Sequence, residues 1–360
     1  MERIMNSRVW KALAVLSCFL IIASCQNGKS EYSYPSFNET ITQDFSVFGD
    51  EVSVGYPVLM LKRDSVLFVF GYSFENGTHL HMYDSFSGRK ISDAIFGGRG
   101  PGEVMRIENA CFREDTLAVW DNITNSISYF NSIKLRDGKT DAFISSTAVD
   151  YGPFTVFNYP CNNGHDIVIR NLSPEQEQGT VKRIEITGYQ GASYSEYPLE
   201  DRQILWKAYQ QPKVTVSPDM HKLALAPSYC MILELFSLDN MQIANTGTKR
   251  YIAPNFTVDK GNINELPGFS YGVQSIISTD DWIAAAMAEN GISAQMSRDK
   301  GLPFFPILAV FDWKGKGLLS VKTSQDIHCL TYDSTDDVMY AIIKDAEGTF
   351  LLARLNLPQF

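Results

Sequence analysis

The stretch Ile95-Phe96-Gly97-Gly98-Arg99-Gly100-Pro101-Gly102-Glu103-Val104 is the most specific local signal in the chain. Its glycines permit positive φ and close backbone approach, the properties a loop needs to cradle a phosphate. It is not a P-loop. No Gly-Lys-Ser/Thr follows, no helix follows, and Pro101 removes one amide donor. Two readings stand. In the plainer one the run is a sharp turn, and Arg99 pairs with a nearby carboxylate or caps carbonyls. In the other, Arg99 and Glu103 face an anionic or polar ligand at the mouth of a site.

A second group of candidates lies in or beside three long connections, Glu200–Pro212, Pro254–Ser270 and Ala288–Phe305. Connections of this length are uncommon unless functional or disordered. They carry Arg202, Trp206, Tyr209, Phe269, Tyr271, Arg298, Phe304 and Phe305. Aromatic rings with an occasional Arg suit protein hot spots and sugar stacking alike. Rings packed under their own loops are the plainer alternative. The candidate ligand-binding residues are Arg99, Glu103, Arg202, Trp206, Tyr209, Phe269 and Tyr271.

Other chemistry is thin. His79 and His81 are two apart on a strand and point to one face, but no third ligand is identifiable, so they read as part of an exposed strand face. No metal site and no cofactor is assigned. There is no Gly-x-Ser-x-Gly elbow, nucleophile–base pair or close carboxylate couple, and no catalytic residue is assigned. Of six cysteines, Cys111, Cys161, Cys230 and Cys329 are scattered without Cys-x-x-Cys spacing and read as buried free thiols.

The elements that must position these residues repeat. Asp115-Thr116-Leu117-Ala118-Val119-Trp120, a polar turn and Ser126–Phe130 form a strand–turn–strand cassette. It recurs with Leu67, Leu117, Ile167, Leu223, Ile283 and Met339 as anchors, 50, 50, 56, 60 and 56 residues apart. Each copy has room for an upstream strand, such as Tyr56–Leu61 or Lys213–Val216, and a downstream one, such as Arg89–Ile95. Four strands per unit of roughly 50 residues is the signature of a propeller blade. Helical periodicity is confined to Gln203–Gln210. The fold class is therefore all-β, a six-bladed β-propeller over 40–360. The last unit ends after its third strand, so Thr40–Phe48 is expected to pair with Phe350–Leu355 and close the ring. Strand direction then places the outer-to-inner crossovers and the second-to-third-strand loops, hence all three long connections, on one face.

The N-terminus is a targeting segment. Arg3, Arg8 and Lys11 precede an apolar run that is too short to span a membrane. The run ends in Ile22-Ala23-Ser24-Cys25, which resembles the lipobox of bacterial lipoproteins. That resemblance implies cleavage after residue 24 and lipid on Cys25. Residues 25–39 read as a flexible tether. The net charge of −10 argues against nucleic acid as a partner.

With lipobox, six-fold period and Gly-x-Gly-Arg-Gly-Pro-Gly-Glu-like run together, the chain resembles the TolB-like six-bladed propeller lipoproteins of the Bacteroidetes type. The resemblance implies an exported protein, lipid-anchored in the cell envelope at the outer membrane, on its periplasmic or surface side. It does not imply an activity. The expected role is non-catalytic binding of a protein or glycan on the insertion-bearing face. The alternative is a calcium-dependent hydrolase, lactonase or lyase with a metal in the central channel. The expected inner strands are mostly apolar or hydroxylic, with Asn109 and Asn158 their only evident amides, which weighs against that alternative.

Overall fold

The computed structural model describes residues 32–72, 77–139, 141–149, 155–160 (backbone only), 166–171, 183–187, 193–196, 198–210, 212–239 and 242–358. Cys25 and Cys161 lie outside this set, and Asn158 is described by its backbone alone. Two N-terminal strands, β1 (Phe37–Thr42) and β2 (Ser46–Glu51), precede six sheets. Blade one is β3 (Tyr56–Arg63), β4 (Val66–Tyr72), β5 (Thr78–Asp84) and β6 (Lys90–Phe96). Blade two is β7 (Ile107–Arg113), β8 (Thr116–Asp121), β9 (Ser126–Asn131) and β10 (Phe143–Ala148), with helix α1 (Ser132–Arg136) before its last strand. Blade three is β11 (Thr155–Pro160), β12 (Asp166–Asn171), β13 (Ile184–Ile186) and β14 (Ser193–Tyr194). Helix α2 (Arg202–Ala208) leads to blade four, β15 (Lys213–Val216), β16 (Lys222–Ala226), β17 (Met231–Ser237) and β18 (Ala244–Ile252).

A hairpin, β19 (Phe256–Asp259) and β20 (Asn262–Glu265), then stands apart from the blades. Blade five follows as β21 (Val273–Ser278), β22 (Trp282–Met287), β23 (Ile307–Asp312) and β24 (Gly317–Lys322), with helix α3 (Ala294–Lys300) between its second and third strands. Blade six is β25 (Asp326–Asp333), β26 (Val338–Lys344) and β27 (Phe350–Asn356). The six expected units are present, and every anchor falls on the second strand of its blade.

The sequence pattern follows from position in the blade. Second and third strands have neighbours on both faces, so they read as near-continuous apolar runs: VLFVFG in β4 and ILAVF in β23 are buried throughout. The core is a set of apolar walls between adjacent blades. One wall joins Phe68, Phe70 and Leu80 of blade one to Leu117, Val119 and Phe130 of blade two. Another joins Ala284, Leu308 and Val310 of blade five to Leu330, Met339 and Ala353 of blade six. His79 and His81, expected on an exposed face, are buried, at 6% and 4% exposure. His79 Nδ1 meets the Gly71 carbonyl and His81 Nδ1 the Asp93 carboxylate. Burial holds the His81 imidazole below its ordinary pKa, against the pull of Asp93. Cys111, Cys230 and Cys329 are free thiols, and burial pushes those of Cys111 and Cys329 up to about 12.

Closure uses the N-terminal segment twice. From Ser46 the chain runs antiparallel to β27, with Ser46 opposite Arg354 and Val47 opposite Ala353. This is the expected pairing, but it begins later than expected. Residues 40–42 belong instead to β1, which lies parallel to β24 as a fifth strand of blade five. The tether boundary at residue 39 is corrected accordingly. Order on the blade already begins at Tyr34, whose hydroxyl donates to the Ala288 carbonyl.

Asp44 makes the crossing between the two blades. Its carboxylate accepts from the Thr323 hydroxyl (2.7 Å), the Ser324 amide (2.7 Å) and the Ser324 hydroxyl (2.8 Å). The Ser324 amide, foremost among these bonds, holds the Asp44 carboxyl below its ordinary 3.8. A depressed folded-state pKa contributes stability above the ordinary value, and that contribution is lost as pH falls through the folded one. Asp44→Asn is therefore expected to melt earlier than wild type near pH 7, with the gap closing below about pH 4. Equal melting near neutrality, or a gap that widens on acidification, contradicts this role.

Candidate functional site

The first strands of blades one, two, four, five and six line a central channel, and their N-terminal ends open on the insertion-bearing face. The mouth there encloses about 410 Å3. Its polar floor comes from five strands, through Arg106 and Glu108 at the entry to β7, Lys213 of β15, Gln274 of β21, Asp326 and His328 of β25, and Tyr56 of β3. The opposite mouth has a cavity of about 490 Å3, bounded by Trp282, Tyr332, Asp280 and Asp281, with no Lys, Arg or His among its described lining residues.

The glycine run leads into the first mouth and supplies none of its lining residues. Glu103 folds its carboxylate back over the loop and accepts from the Gly100 amide at 2.7 Å. A side chain at Gly98 would stand 2.0 Å from that carboxylate oxygen. Gly102 takes φ +81° against the Phe143 ring, and Val104 is fully buried. Met105 and Arg106 donate their amides to Asp121. The run thus turns the chain sharply and delivers Arg106 and Glu108 into the channel. Of the two readings of the run, the turn accounts for Glu103, and Arg99 stays exposed on the crossover.

Arg106 Nε meets Glu108 Oε1 at 2.8 Å and donates to the Tyr72 hydroxyl at 3.2 Å, with its guanidinium 5.4 Å from the Tyr72 ring. Burial raises the Glu108 carboxyl, while Arg106 and Lys213 pull it down. Burial likewise pushes the Tyr72 phenol up to about 12. Asp326 accepts the Phe305 amide at 2.8 Å. His328 is 7% exposed, and neither ring nitrogen has a hydrogen-bond partner. Tyr56 and Phe350 hold it edge-on at 5.8 and 4.9 Å.

On the blade-five side the mouth is walled by rings. Tyr271 is the hub, at 5.2 Å from Phe269, 5.5 Å from Phe304, 5.7 Å from Phe305 and 6.2 Å from Tyr229. Of these, Tyr271, Phe304, Phe305 and Tyr229 reach the cavity. Phe269, a predicted contact residue, is 2% exposed and supports Tyr271 from beneath.

Tyr209 is likewise corrected. It is 2% exposed, and its hydroxyl donates to Glu234 at 2.7 Å inside the protein. Trp206 lies half-buried against Gly261 of the β19–β20 hairpin with Lys207 over its ring, and Arg202 is exposed at the start of α2. Neither of these two borders the cavity.

A family model described as TolB-like 6-blade propeller-like matches residues 36–335. The chain belongs to the TolB-like six-bladed propeller family. Solved structures agree on this fold. A crystal structure from Bacteroides fragilis, of a protein provisionally described as exported, has a TM-score of 0.55 at 11% identity, over 89% of this chain and 99% of its own. The WD40 repeats of RRP9 give 0.50 at 9% identity, over 88% of this chain and 99% of theirs. Likeness at such identities concerns the fold alone. No curated protein matches the sequence. Among the described residues of this TolB-like propeller no helix is long and apolar enough to cross a membrane, and no three His, Cys, Asp or Glu side chains converge as metal ligands.

Proposed function

We propose that this TolB-like propeller is a non-catalytic glycan-binding module, exported and held in the cell envelope at the outer membrane by lipid on Cys25. The observation that carries the ligand class is the mouth itself: a wall of rings around Tyr271 beside a floor of hydrogen-bonding side chains. A sugar presents an apolar ring face and a polar edge, and this pairing of surfaces complements both. The cavity is in the size range of small-ligand sites, about 300–1,000 Å3. Binding without turnover is favoured because the channel carboxylates already have partners in Arg106, Asn122 and the Phe305 amide. The thiols are held protonated by burial. A membrane tether lets a modest affinity suffice through high local concentration. The leader ending in Ala23-Ser24-Cys25 supports the address.

Glycan-array screening of the purified chain, followed by calorimetry, tests this reading. Tyr271→Ala and Phe304→Ala are each expected to weaken saccharide binding by about 10-fold or more, on the scale of the roughly 1–3 kcal/mol that a nucleobase gains by stacking on an aromatic ring. Melting should shift little for Phe304→Ala. Unchanged affinity in both variants contradicts the choice of mouth. Fractionation of cells expressing Cys25→Ser tests the anchor: the variant should leave the membrane fraction.

A further inference from the structure

The charges at the mouth do not cancel. Arg106 is matched by Glu108. Lys344, over the Phe350 ring at the rim, offsets Asp326 in number. Lys213 remains. Its ammonium has no hydrogen bond and no ion pair within the described residues, yet it lines the cavity together with Glu108 and His328. It is sensed by Glu108 of blade two and by Cys329 of blade six, which lie on different sides of the channel. Burial drives the Lys213 ammonium below its ordinary pKa. The side chain is only partly hidden from solvent, so a ligand in the cavity can reach it. Beside Cys329 on β25, the His328 imidazole also lines the cavity; neither of its nitrogens makes a hydrogen bond, and Nε2 lies 3.6 Å from the Asp326 carboxylate.

A partly dry, uncompensated ammonium is destabilising where nothing offsets it, and such groups cluster at functional sites. The acidic surface of the chain repels anions in general, so an anion is held here only where a cation has been built in. We propose that the channel mouth takes a sugar ring bearing a carboxylate, with the anion received by Lys213, the acid side supported by His328 and the ring face resting on Tyr271. This deepens the glycan reading and rests on it. The ligand chemistry is that of a uronic acid, whether a free monosaccharide or the exposed end of a polymer. The carboxylate supplies the missing partner of Lys213, and the ring hydroxyls supply donors to His328.

The test is calorimetric titration of the purified chain with the methyl glycosides of glucuronic and galacturonic acid, their neutral glucose and galactose counterparts, and the methyl esters of the two uronides. At least one uronide is expected to bind about 10-fold or more tightly than both its neutral counterpart and its ester. Lys213→Met should abolish that preference, bringing the uronide down to the affinity of its neutral counterpart. The ester comparison needs no variant and stands if Lys213→Met fails to fold. Equal binding of uronide, ester and neutral sugar overturns the carboxylate inference and leaves the saccharide site intact. Acetate competing as well as a uronide reduces the site to one for simple anions and overturns the sugar part. No binding by any glycoside overturns this inference, and if the array is also blank it overturns the glycan reading with it. To separate the two sources, a uronate oligosaccharide is compared with its monomer: tighter binding of the oligomer assigns a polymer end, equal binding a free sugar acid.

Discussion

Glu234→Ala is expected to destabilise the propeller by about 3–5 kcal/mol, the range for removing one partner of a buried ion pair. Glu234 sits in the middle of β17, in the otherwise apolar run Met-Ile-Leu-Glu-Leu-Phe, and is 1% exposed. Arg183, at the start of β13 in blade three, is 1% exposed and meets it with two parallel 2.7 Å bonds, Nη1 to Oε2 and Nη2 to Oε1. The Tyr209 hydroxyl donates to Glu234 Oε1 at 2.7 Å, and the guanidinium lies 4.8 Å from the Tyr209 ring. Nη1 also reaches the Glu196 carbonyl at 3.1 Å. One carboxylate therefore ties blade three to blade four and pins the α2 connection to both. Its loss takes from a buried guanidinium the carboxylate that receives two of its bonds. Tyr209→Phe, which removes one donor and leaves the ion pair intact, should cost only about 1–2 kcal/mol.

The decisive comparison is the double change Arg183→Met with Glu234→Leu. Well-packed apolar replacements of a buried pair are often neutral or stabilising by about 1–4 kcal/mol. The double variant should therefore recover most of what Glu234→Ala loses in chemical denaturation. If the single and double variants are equally unstable, the loss comes from packing and the ion pair is not the cause.

This buried pair also shows what the sequence could and could not reveal. A lone Glu in an apolar strand announces a buried partner, but nothing in the primary structure says that the partner is Arg183, 51 residues earlier, or that Tyr209 shares it. Tyr209 was therefore legible as an aromatic in a long connection and not as a ring turned inward. The blades were legible for a simpler reason: strands with neighbours on both faces must be apolar throughout, and six such runs recur. β1 leaves little trace in the sequence because Phe37-Asn-Glu-Thr-Ile-Thr has an exposed outer face and is held by backbone bonds to the β24 edge. The channel floor was the least visible part. Five of the first strands supply one or two polar residues each, and only ring closure brings Tyr56, Glu108, Lys213, Gln274 and His328 together. One clue was present in Glu103-Val104-Met105-Arg106-Ile107-Glu108: after the glycine run, Arg106 and Glu108 alternate on one face of an emerging strand.

Gly272→Ala is expected to damage stability and ligand binding together, and the reason lies one residue from the hub of the ring wall. Gly272 joins Tyr271 to β21 and donates its amide to the Ser228 carbonyl at 2.8 Å. Its α-carbon packs so closely on the β16–β17 connection that an added Cβ would stand 1.8 Å from the Cys230 carbonyl oxygen and 2.8 Å from that of Pro227. Both obstacles are backbone, so no side-chain rotation relieves them. Either blade four or the Tyr271 segment must shift. Overpacking of this kind costs about 3 kcal/mol. Because Tyr271 and Tyr229 flank the two colliding backbones, the shift opens the ring wall, and saccharide affinity should fall at least as far as in Tyr271→Ala. Gly247→Ala is the matched control. A Cβ there meets nothing within 4 Å, and the change should stay within about 0.5 kcal/mol of wild type and bind normally. A Gly272→Ala protein with wild-type denaturation and wild-type binding would mean that blade four and the crossover into blade five do not approach each other as closely as the ring wall requires.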